Sequence, residues 1–183
     1  MNFEQVLQTL LAEFDRCHIR YAVIGGFALG VLGAPRGTMD LDFLVHRDDL
    51  TPLQELMARL GYQQYASTEN ASHYRHRDRA WGAVDYLHAF RKHAVEMLQR
   101  ADSYPIFNGS VNIRVAQAED VIGLKVQALA NDPLHRGQDR IDIETLMELH
   151  GPRLDWQRLQ EYFDLFEMGA EGQTLYKRFG HAQ

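Results

Sequence analysis

The first half of the chain shows helical, then strand-like, spacing of its apolar residues. From residue 3 to residue 14 an apolar side chain recurs every three or four positions, which predicts an amphipathic helix. The short apolar run Tyr21–Ile24 ends at a glycine pair and predicts a buried strand. Small apolar residues at 27–32 predict a helix packed on that strand, and the Gly and Pro content of residues 33–37 predicts a loop.

Two later segments combine a strand-like pattern with acidic residues. Residues 38–46 predict a strand in which Asp40 and Asp42 are two positions apart and therefore share one face. Residues 82–89 predict another strand with Asp85 in its middle. Both strands place carboxylates among apolar neighbours.

The remaining pattern predicts a sheet followed by helices. Asp48 or Asp49 caps a helix that Gly61 ends, and residues 62–79 predict one or two edge strands. Residues 111–115 predict a last strand, and three helices follow at 121–129, 141–149 and 154–166.

These elements predict the fold class α+β, with a mixed β-sheet flanked by helices and a helical C-terminal part. We place an α/β core in residues 1–116. A helical C-terminal region packed on that core is expected in residues 117–183.

Composition narrows the function classes. The chain has 183 residues, of which 45% are hydrophobic, enough for a folded core. Its net charge of −6 argues against broad non-specific binding to nucleic acid but leaves room for a local basic groove. One cysteine, Cys17, excludes an internal disulfide and fits a reducing compartment. Neither a signal peptide nor a membrane-length apolar run is visible, so we expect a cytoplasmic protein with no membrane partner.

The pair Asp40 and Asp42 is the most informative chemical feature. Their carboxylates would lie within about 7 Å of each other on one strand face. Such a pair repels by a few kcal/mol at an effective dielectric of ~20. Protonation of one group, pairing with cationic side chains, or bound metal ions would each relieve the repulsion. Solvated acids on an edge strand are the alternative without function.

Asp85 extends this arrangement if its strand lies beside the strand of the pair. Three carboxylates would then converge on one point, which is the ligand set of a two-metal phosphoryl-transfer site. Hard oxygen ligands of this kind suit Mg²⁺, whose remaining positions are filled by water and substrate phosphates.

A glycine pair precedes the acidic strand. Gly25 and Gly26 follow a strand and precede a small-residue helix, so the backbone there can approach a phosphate closely. The spacing differs from the dinucleotide fingerprint, and no Gly-Lys-Ser/Thr follows as in a P-loop. A tight turn with no ligand is the alternative.

Together, the strand, the glycine pair, the Asp-x-Asp strand and the later mid-strand Asp85 resemble the DNA polymerase β-like nucleotidyltransferase superfamily. Residues 24–30 (IGGFALG) and 33–45 (GAPRGTMDLDFLV) most resemble the first sequence motif of one bacterial branch of this superfamily. That branch contains the AbiEii/MenT-type toxins and the small antibiotic nucleotidyltransferases. Residues 118–129 and 136–143 resemble its later helical elements.

The resemblance implies a metal-binding role for each acid. Asp40 and Asp42 would bind two metal ions, Mg²⁺ with Mn²⁺ as the alternative. Asp85 would bind the ion that activates the acceptor hydroxyl and would also take the hydroxyl proton.

The resemblance also implies which residues bind the nucleotide. Gly25 and Gly26 would cradle the β- and γ-phosphates, and Arg36 and Thr38 would bind phosphate at the edge of the pocket. Gly26 stands where many members carry a serine whose hydroxyl contacts the triphosphate.

Three residues of the helical region have two interpretations each. Lys125 either extends to solvent or reaches the departing pyrophosphate. Asp139 and Asp142 either pair with Arg136 and Arg140 on a helix surface, or Asp139 orients Lys125 or an arginine in the cleft.

A basic segment lies between the acidic strands. His73 and His76 have a plausible ligand spacing, but no cysteine or acid set completes a zinc site. With Tyr74 and the arginines of residues 75–79 they predict a basic strand that lines the cleft or faces solvent. If the acceptor is RNA, its backbone is expected here.

The resemblance therefore implies an enzyme that moves an NMP from an NTP to a hydroxyl acceptor, which is a small molecule, RNA such as tRNA, or a protein. The alternatives are a non-catalytic nucleotide-binding member of the same fold, or the toxin component of a toxin–antitoxin pair, with an antitoxin protein as partner.

Overall fold

The computed structural model describes residues 1–132 and 137–181, which contain seven strands and eight α-helices. The strands are β1 (Tyr21–Ile24), β2 (Asp40–His46), β3 (Tyr62–Ser67), β4 (Ala71–His76), β5 (Ala83–Ala89), β6 (Asp102–Ile106) and β7 (Val111–Val115). The helices are α1 (Phe3–Arg16), α2 (Gly25–Val31), α3 (Leu50–Arg59), α4 (Lys92–Arg100), α5 (Ala118–Asn131), α6 (Gly137–His150), α7 (Trp156–Leu165) and α8 (Gly169–Phe179). The predicted α+β class is confirmed.

The strands form one mixed sheet in the order β3-β4-β5-β2-β1-β7-β6. Strand β2 pairs in parallel with β5 and antiparallel with β1, and β1 pairs in parallel with β7. The acidic strand β2 therefore lies in the middle of the sheet, and the alternative of solvated acids on an edge strand is wrong.

An aromatic cluster fills the core on the sheet face opposite the acids. Phe14 of α1 packs against Tyr21, Phe43 and Tyr86, with ring centroids 5.2 to 6.4 Å apart. Phe43 and Tyr86 are completely buried. Because side chains alternate along a strand, burial of Phe43 on this face leaves its neighbour Asp42 on the other.

Some elements differ from the pattern-based prediction. Helix α2 begins at Gly25 rather than at residue 27, and α4, β6 and α8 were not predicted. Strand β6 is a mostly exposed edge strand that contains Pro105, and α4 buries only Met97 and Leu98. Both therefore carry little apolar periodicity. Asp49 does not cap α3 with its side chain, because its carboxylate accepts hydrogen bonds from Arg20 instead.

The chain divides into two compact units. The sheet unit comprises Met1–Val31 and Arg36–Ala116, and the helical unit comprises Leu32–Pro35 and Gln117–Gln183. Helices α5 to α8 belong to the helical unit. No helix within the described ranges 1–132 and 137–181 has the length and apolar character that a membrane crossing requires.

Candidate active site

One row of side chains crosses four neighbouring strands. Asp42 of β2 is the register partner of Asp85 in the parallel strand β5. Ile24 of β1 lies opposite Asp42, and His73 of β4 lies opposite Asp85. Since paired strands are about 4.8 Å apart, the two aspartates and the histidine are adjacent on one sheet face.

Asp40 lies on the same face, two residues before Asp42. The hydroxyl of Thr38 donates a hydrogen bond to Asp40 Oδ1 at 2.9 Å. Asp40, Asp42 and Asp85 are each only partly buried, whereas the neighbouring residues Leu41, Phe43, Val84 and Tyr86 are buried. The structure therefore brings the three acids together on an accessible part of the sheet.

Asp85 carries an unsatisfied oxygen. Its Oδ1 is buried and has no hydrogen-bond partner among residues 1–132 and 137–181. His73 Nδ1 lies 3.0 Å from this oxygen without completing a hydrogen bond. Because a buried polar atom left unpaired costs free energy, an oxygen of this kind is typical of a ligand-binding or catalytic position.

The three carboxylates are each turned toward a different neighbour. Asp40 faces Thr38, Asp42 faces Gly25, and Asp85 faces His73. In this arrangement the described part of the chain contains no group of three or more His, Cys, Asp or Glu side chains that holds a metal ion directly. The chemistry of the donors still fits a hard divalent cation, since all three supply carboxylate oxygens and Asp85 Oδ1 accepts no hydrogen bond from the described residues.

The glycine turn touches the acidic strand. Gly25 has a φ of 64°, which L side chains rarely adopt, and a Cβ there would lie 2.0 Å from Asp42 Oδ2. Gly25 therefore lets the turn from β1 into α2 pass directly beside the carboxylate of Asp42.

Gly26 is constrained by a different neighbour. A Cβ at Gly26 would lie 2.8 Å from Thr38 Oγ1 and 2.9 Å from Thr38 Cβ, distances that real Cβ atoms do not reach. The guanidinium carbon of Arg36 would lie 3.4 Å away. A side chain at position 26 therefore requires Thr38 to move, and the hydroxyl of Thr38 lies beside this part of the turn. Both Arg36 and Thr38 are next to the glycine pair, as expected for residues at the pocket edge.

Lys125 and its partners belong to the helical unit. The amine of Lys125 lies 2.8 Å from Asp139 Oδ1 and 2.6 Å from Asp142 Oδ2. The side chain of Lys125 is only 8% exposed. The interpretation in which Lys125 extends to solvent is therefore wrong, and its amine is held between two carboxylates.

One of the two arginines expected to pair with these acids has another partner. Arg140 pairs with Glu171 rather than with Asp139 or Asp142. The expected partner Arg136 lies outside the described residues. Lys125 belongs to α5 and both acids belong to α6, so the lysine contacts them from a neighbouring helix. The one-turn spacing of the two acids within α6 does not reveal this contact.

The two histidines of the basic segment point to different places. His73 lies beside Asp85, whereas His76 packs between Tyr62 and Trp81. Three positions apart on a strand, the two side chains occupy opposite faces, so they do not form a ligand pair. His73 is the residue of this region that sequence reasoning did not connect with the acids, since only the β4–β5 register places it there.

Comparisons with known proteins agree with this geometry. A family model described as "Uncharacterised nucleotidyltransferase" matches residues 1–169. No curated protein sequence matches significantly.

Three solved structures share the fold. The solution structure of the antibiotic-resistance factor ANT(2'')-Ia has a TM-score of 0.63 at 16% identity and covers 97% of this chain and 99% of that chain. An antigenic nucleotidyltransferase-like protein from Paracoccidioides brasiliensis has a TM-score of 0.57 at 19% identity, covering 96% and 92%. Lincomycin-bound LnuA, a lincosamide antibiotic adenylyltransferase, has a TM-score of 0.52 at 15% identity, covering 80% and 97%.

At these identities the solved structures establish the nucleotidyltransferase fold and nothing more specific. The family match extends over both units of the chain, from the glycine turn and the acid row to the Lys125 cluster. On the strength of that match, the protein belongs to this nucleotidyltransferase family.

Proposed function

We propose that the protein transfers a nucleoside monophosphate from an NTP to a hydroxyl group of an acceptor, with Asp40, Asp42 and Asp85 as the catalytic acids. The observation that carries the proposal is the register pairing of Asp42 with Asp85, with Asp40 two residues away on the same face. Three carboxylates this close are unfavourable without a positive counterpart, and a metal–triphosphate complex supplies one.

The same three residues are the proposed ligands of two Mg²⁺ ions, with Mn²⁺ as the alternative. Asp85 Oδ1, which accepts no hydrogen bond from the described residues, and the all-oxygen donor set support this assignment. Such ions, when bound, neutralise the triphosphate and the charge that develops on the attacking and leaving oxygens.

The protein residues then have the following tasks. Asp85 accepts the proton of the acceptor hydroxyl as the hydroxyl oxygen bonds to the α-phosphorus. The bond from the α-phosphorus to the oxygen that bridges to the β-phosphate breaks, and pyrophosphate leaves with that electron pair. Thr38 holds Asp40 in place through its hydroxyl, at 2.9 Å.

Nucleotide binding is assigned to the glycine turn. Gly25 and Gly26 present backbone without Cβ atoms beside Asp42 and Thr38, which allows close approach of phosphate oxygens. Arg36 is exposed at the same turn and supplies a positive charge to the phosphates. Contact of Lys125 with the departing pyrophosphate, with Asp139 orienting the lysine, stays a prediction. The amine of Lys125 lies beside two carboxylates.

The acceptor is a hydroxyl compound of one of three classes: a small molecule, RNA or a protein. One structural relative is named as an antibiotic-resistance factor and another as a lincosamide antibiotic adenylyltransferase, which supports transfer of a nucleotide to an acceptor in general. A toxin role with an antitoxin partner, as in the AbiEii/MenT branch, stays a prediction.

The test measures pyrophosphate release from each Mg-NTP with acceptor pools of the three classes. Asp42→Asn and Asp85→Asn are expected to lower the rate about 100- to 1,000-fold, because each removes charge stabilisation at the reacting phosphate. Asp15→Asn, which changes an exposed acid on α1, is the matched control and should retain the wild-type rate. Tight NTP binding by calorimetry with no release on any acceptor would instead identify a non-catalytic nucleotide-binding protein.

A further inference from the structure

The acid row continues toward the sheet edge as an exposed aromatic and basic surface. His73 lies beside Asp85, and the ring of Tyr65 packs on His73 with centroids 5.9 Å apart. The guanidinium of Arg75 lies over the Tyr65 ring, 5.2 Å from its centroid. We call Tyr65, His73 and Arg75 the β3–β4 platform.

The platform shares the sheet face of the acids. His73 pairs with Asp85 in register, and Arg75 is two residues further along β4, so both side chains project to the same side. The pairing of β3 with β4 shifts between Gln64 and Ala66. A shift of this kind redirects the side chain at the bulge, and here it brings Tyr65 against His73 and Arg75.

Exposure distinguishes the platform from an ordinary packing cluster. Tyr65 is 56% exposed on an edge strand, although burial of an aromatic ring is favourable. Arg75 is also exposed, and Arg77 and Arg79 follow it in the next turn. This positive surface contrasts with the net charge of −6 of the whole chain.

We propose that the β3–β4 platform binds the 3′-terminal nucleotides of a single-stranded RNA, which is the acceptor of the proposed transfer reaction. Aromatic side chains stack on bases regardless of sequence, and arginine contributes both stacking and charge. The strand of Tyr65 is two strands away from the strand of Asp85, which is a distance of about 10 Å. A base that stacks on Tyr65 therefore places the adjoining ribose near the acids. RNA is favoured over DNA because its 3′ ends are commonly single-stranded with unstacked bases.

Charge at the platform favours an anionic acceptor over a cationic one. A polycationic hydroxyl compound would meet like charge at Arg75, whereas the phosphates of RNA would meet opposite charge. In the reaction, the 3′ oxygen bonds to the α-phosphorus of the NTP, the hydroxyl proton passes to Asp85, and pyrophosphate leaves. The RNA becomes one nucleotide longer.

This assignment rests on the proposed function, so binding and transfer are measured separately. Binding is followed by fluorescence anisotropy of a 5′-labelled oligoribonucleotide in the Asp42→Asn background. Tyr65→Ala should weaken binding about 5- to 150-fold, the loss of one base–aromatic stack, whereas Tyr65→Phe should retain it. Arg75→Gln should reduce the slope of log affinity against log salt by about 0.7. Arg16→Gln, an exposed arginine on α1, is the matched control and should change neither quantity.

Transfer is measured in the wild-type background with labelled NTPs. The inference is supported if an oligoribonucleotide with a free 3′ hydroxyl is extended and the same oligonucleotide with a 3′ phosphate is not. Transfer to an aminoglycoside, a protein pool or a deoxyribo-oligonucleotide without extension of RNA overturns the inference and leaves the proposed function intact. Equal RNA binding by the wild-type and Tyr65→Ala proteins also overturns it. No pyrophosphate release with any acceptor overturns the proposed function itself.

Discussion

The Lys125 cluster provides a test of whether this lysine stabilises the helical unit or serves the nucleotide. Lys125→Met keeps the length and apolar stem of the side chain and removes its charge. Asp142 is 5% exposed and would lose its ion pair with Lys125, although Gln138 would still donate to its Oδ1 at 2.8 Å. Asp139 is 15% exposed and reaches water more easily.

The expected cost follows from burial. Removing one partner of a buried ion pair costs about 3–5 kcal/mol, because the opposite charge that offsets the burial of the remaining group is lost. Asp142→Asn should cost less, about 1–3 kcal/mol, since Lys125 keeps Asp139 and the new amide still forms hydrogen bonds. Lys92→Met is the matched control: Lys92 is 82% exposed, 3.9 Å from Glu96, and should change stability by under about 0.5 kcal/mol.

The assay is urea unfolding followed by tryptophan fluorescence. In a Trp81→Phe background the signal comes from Trp156, which lies in the same unit as Lys125. The midpoint should fall for Lys125→Met while the slope stays unchanged. A variant that unfolds within about 1 kcal/mol of the wild type, yet no longer releases pyrophosphate, would refute the structural role and identify Lys125 as a nucleotide-binding residue.

Two further changes test the sheet unit. Gly26→Ser should destabilise the protein by about 1–3 kcal/mol, because the new side chain would contact Thr38. In thermal unfolding, adding Thr38→Gly to this variant should recover part of the lost stability. If the effects of the two substitutions are additive, the contact is contradicted. Burial tends to raise the pKa of Asp49, but hydrogen bonds from Arg20 outweigh it, so the pKa lies below its ordinary value of 3.8. Asp49 therefore stabilises the fold above that pH, and this contribution is lost as the pH falls through the lowered pKa. Asp49→Asn should flatten the acid side of the stability–pH curve; an unchanged curve would contradict this assignment.

The local pattern predicted the elements that bury continuous apolar runs. Strands β1, β5 and β7 and helix α1 lie within a few residues of their predicted positions. The missed elements are polar or short: β6 is an exposed edge strand, and α8 buries only Gly172 and Leu175. Their apolar contacts are too few to leave a period in the sequence.

Sequence alone determined that Asp40 and Asp42 share one strand face, because side chains alternate with a period of two. It also indicated a backbone turn without side chains at Gly25 and Gly26. These are local properties, set by residues close together in the chain.

Only the tertiary structure decided which residues meet the acids. The parallel pairing of β2 with β5 places Asp85 beside Asp42, and the antiparallel pairing of β4 places His73 next to Asp85. The contact of Thr38 with Gly26 and the bulge that turns Tyr65 toward the site arise in the same way. Strand order and register depend on packing between distant segments, so no spacing within one strand contains them.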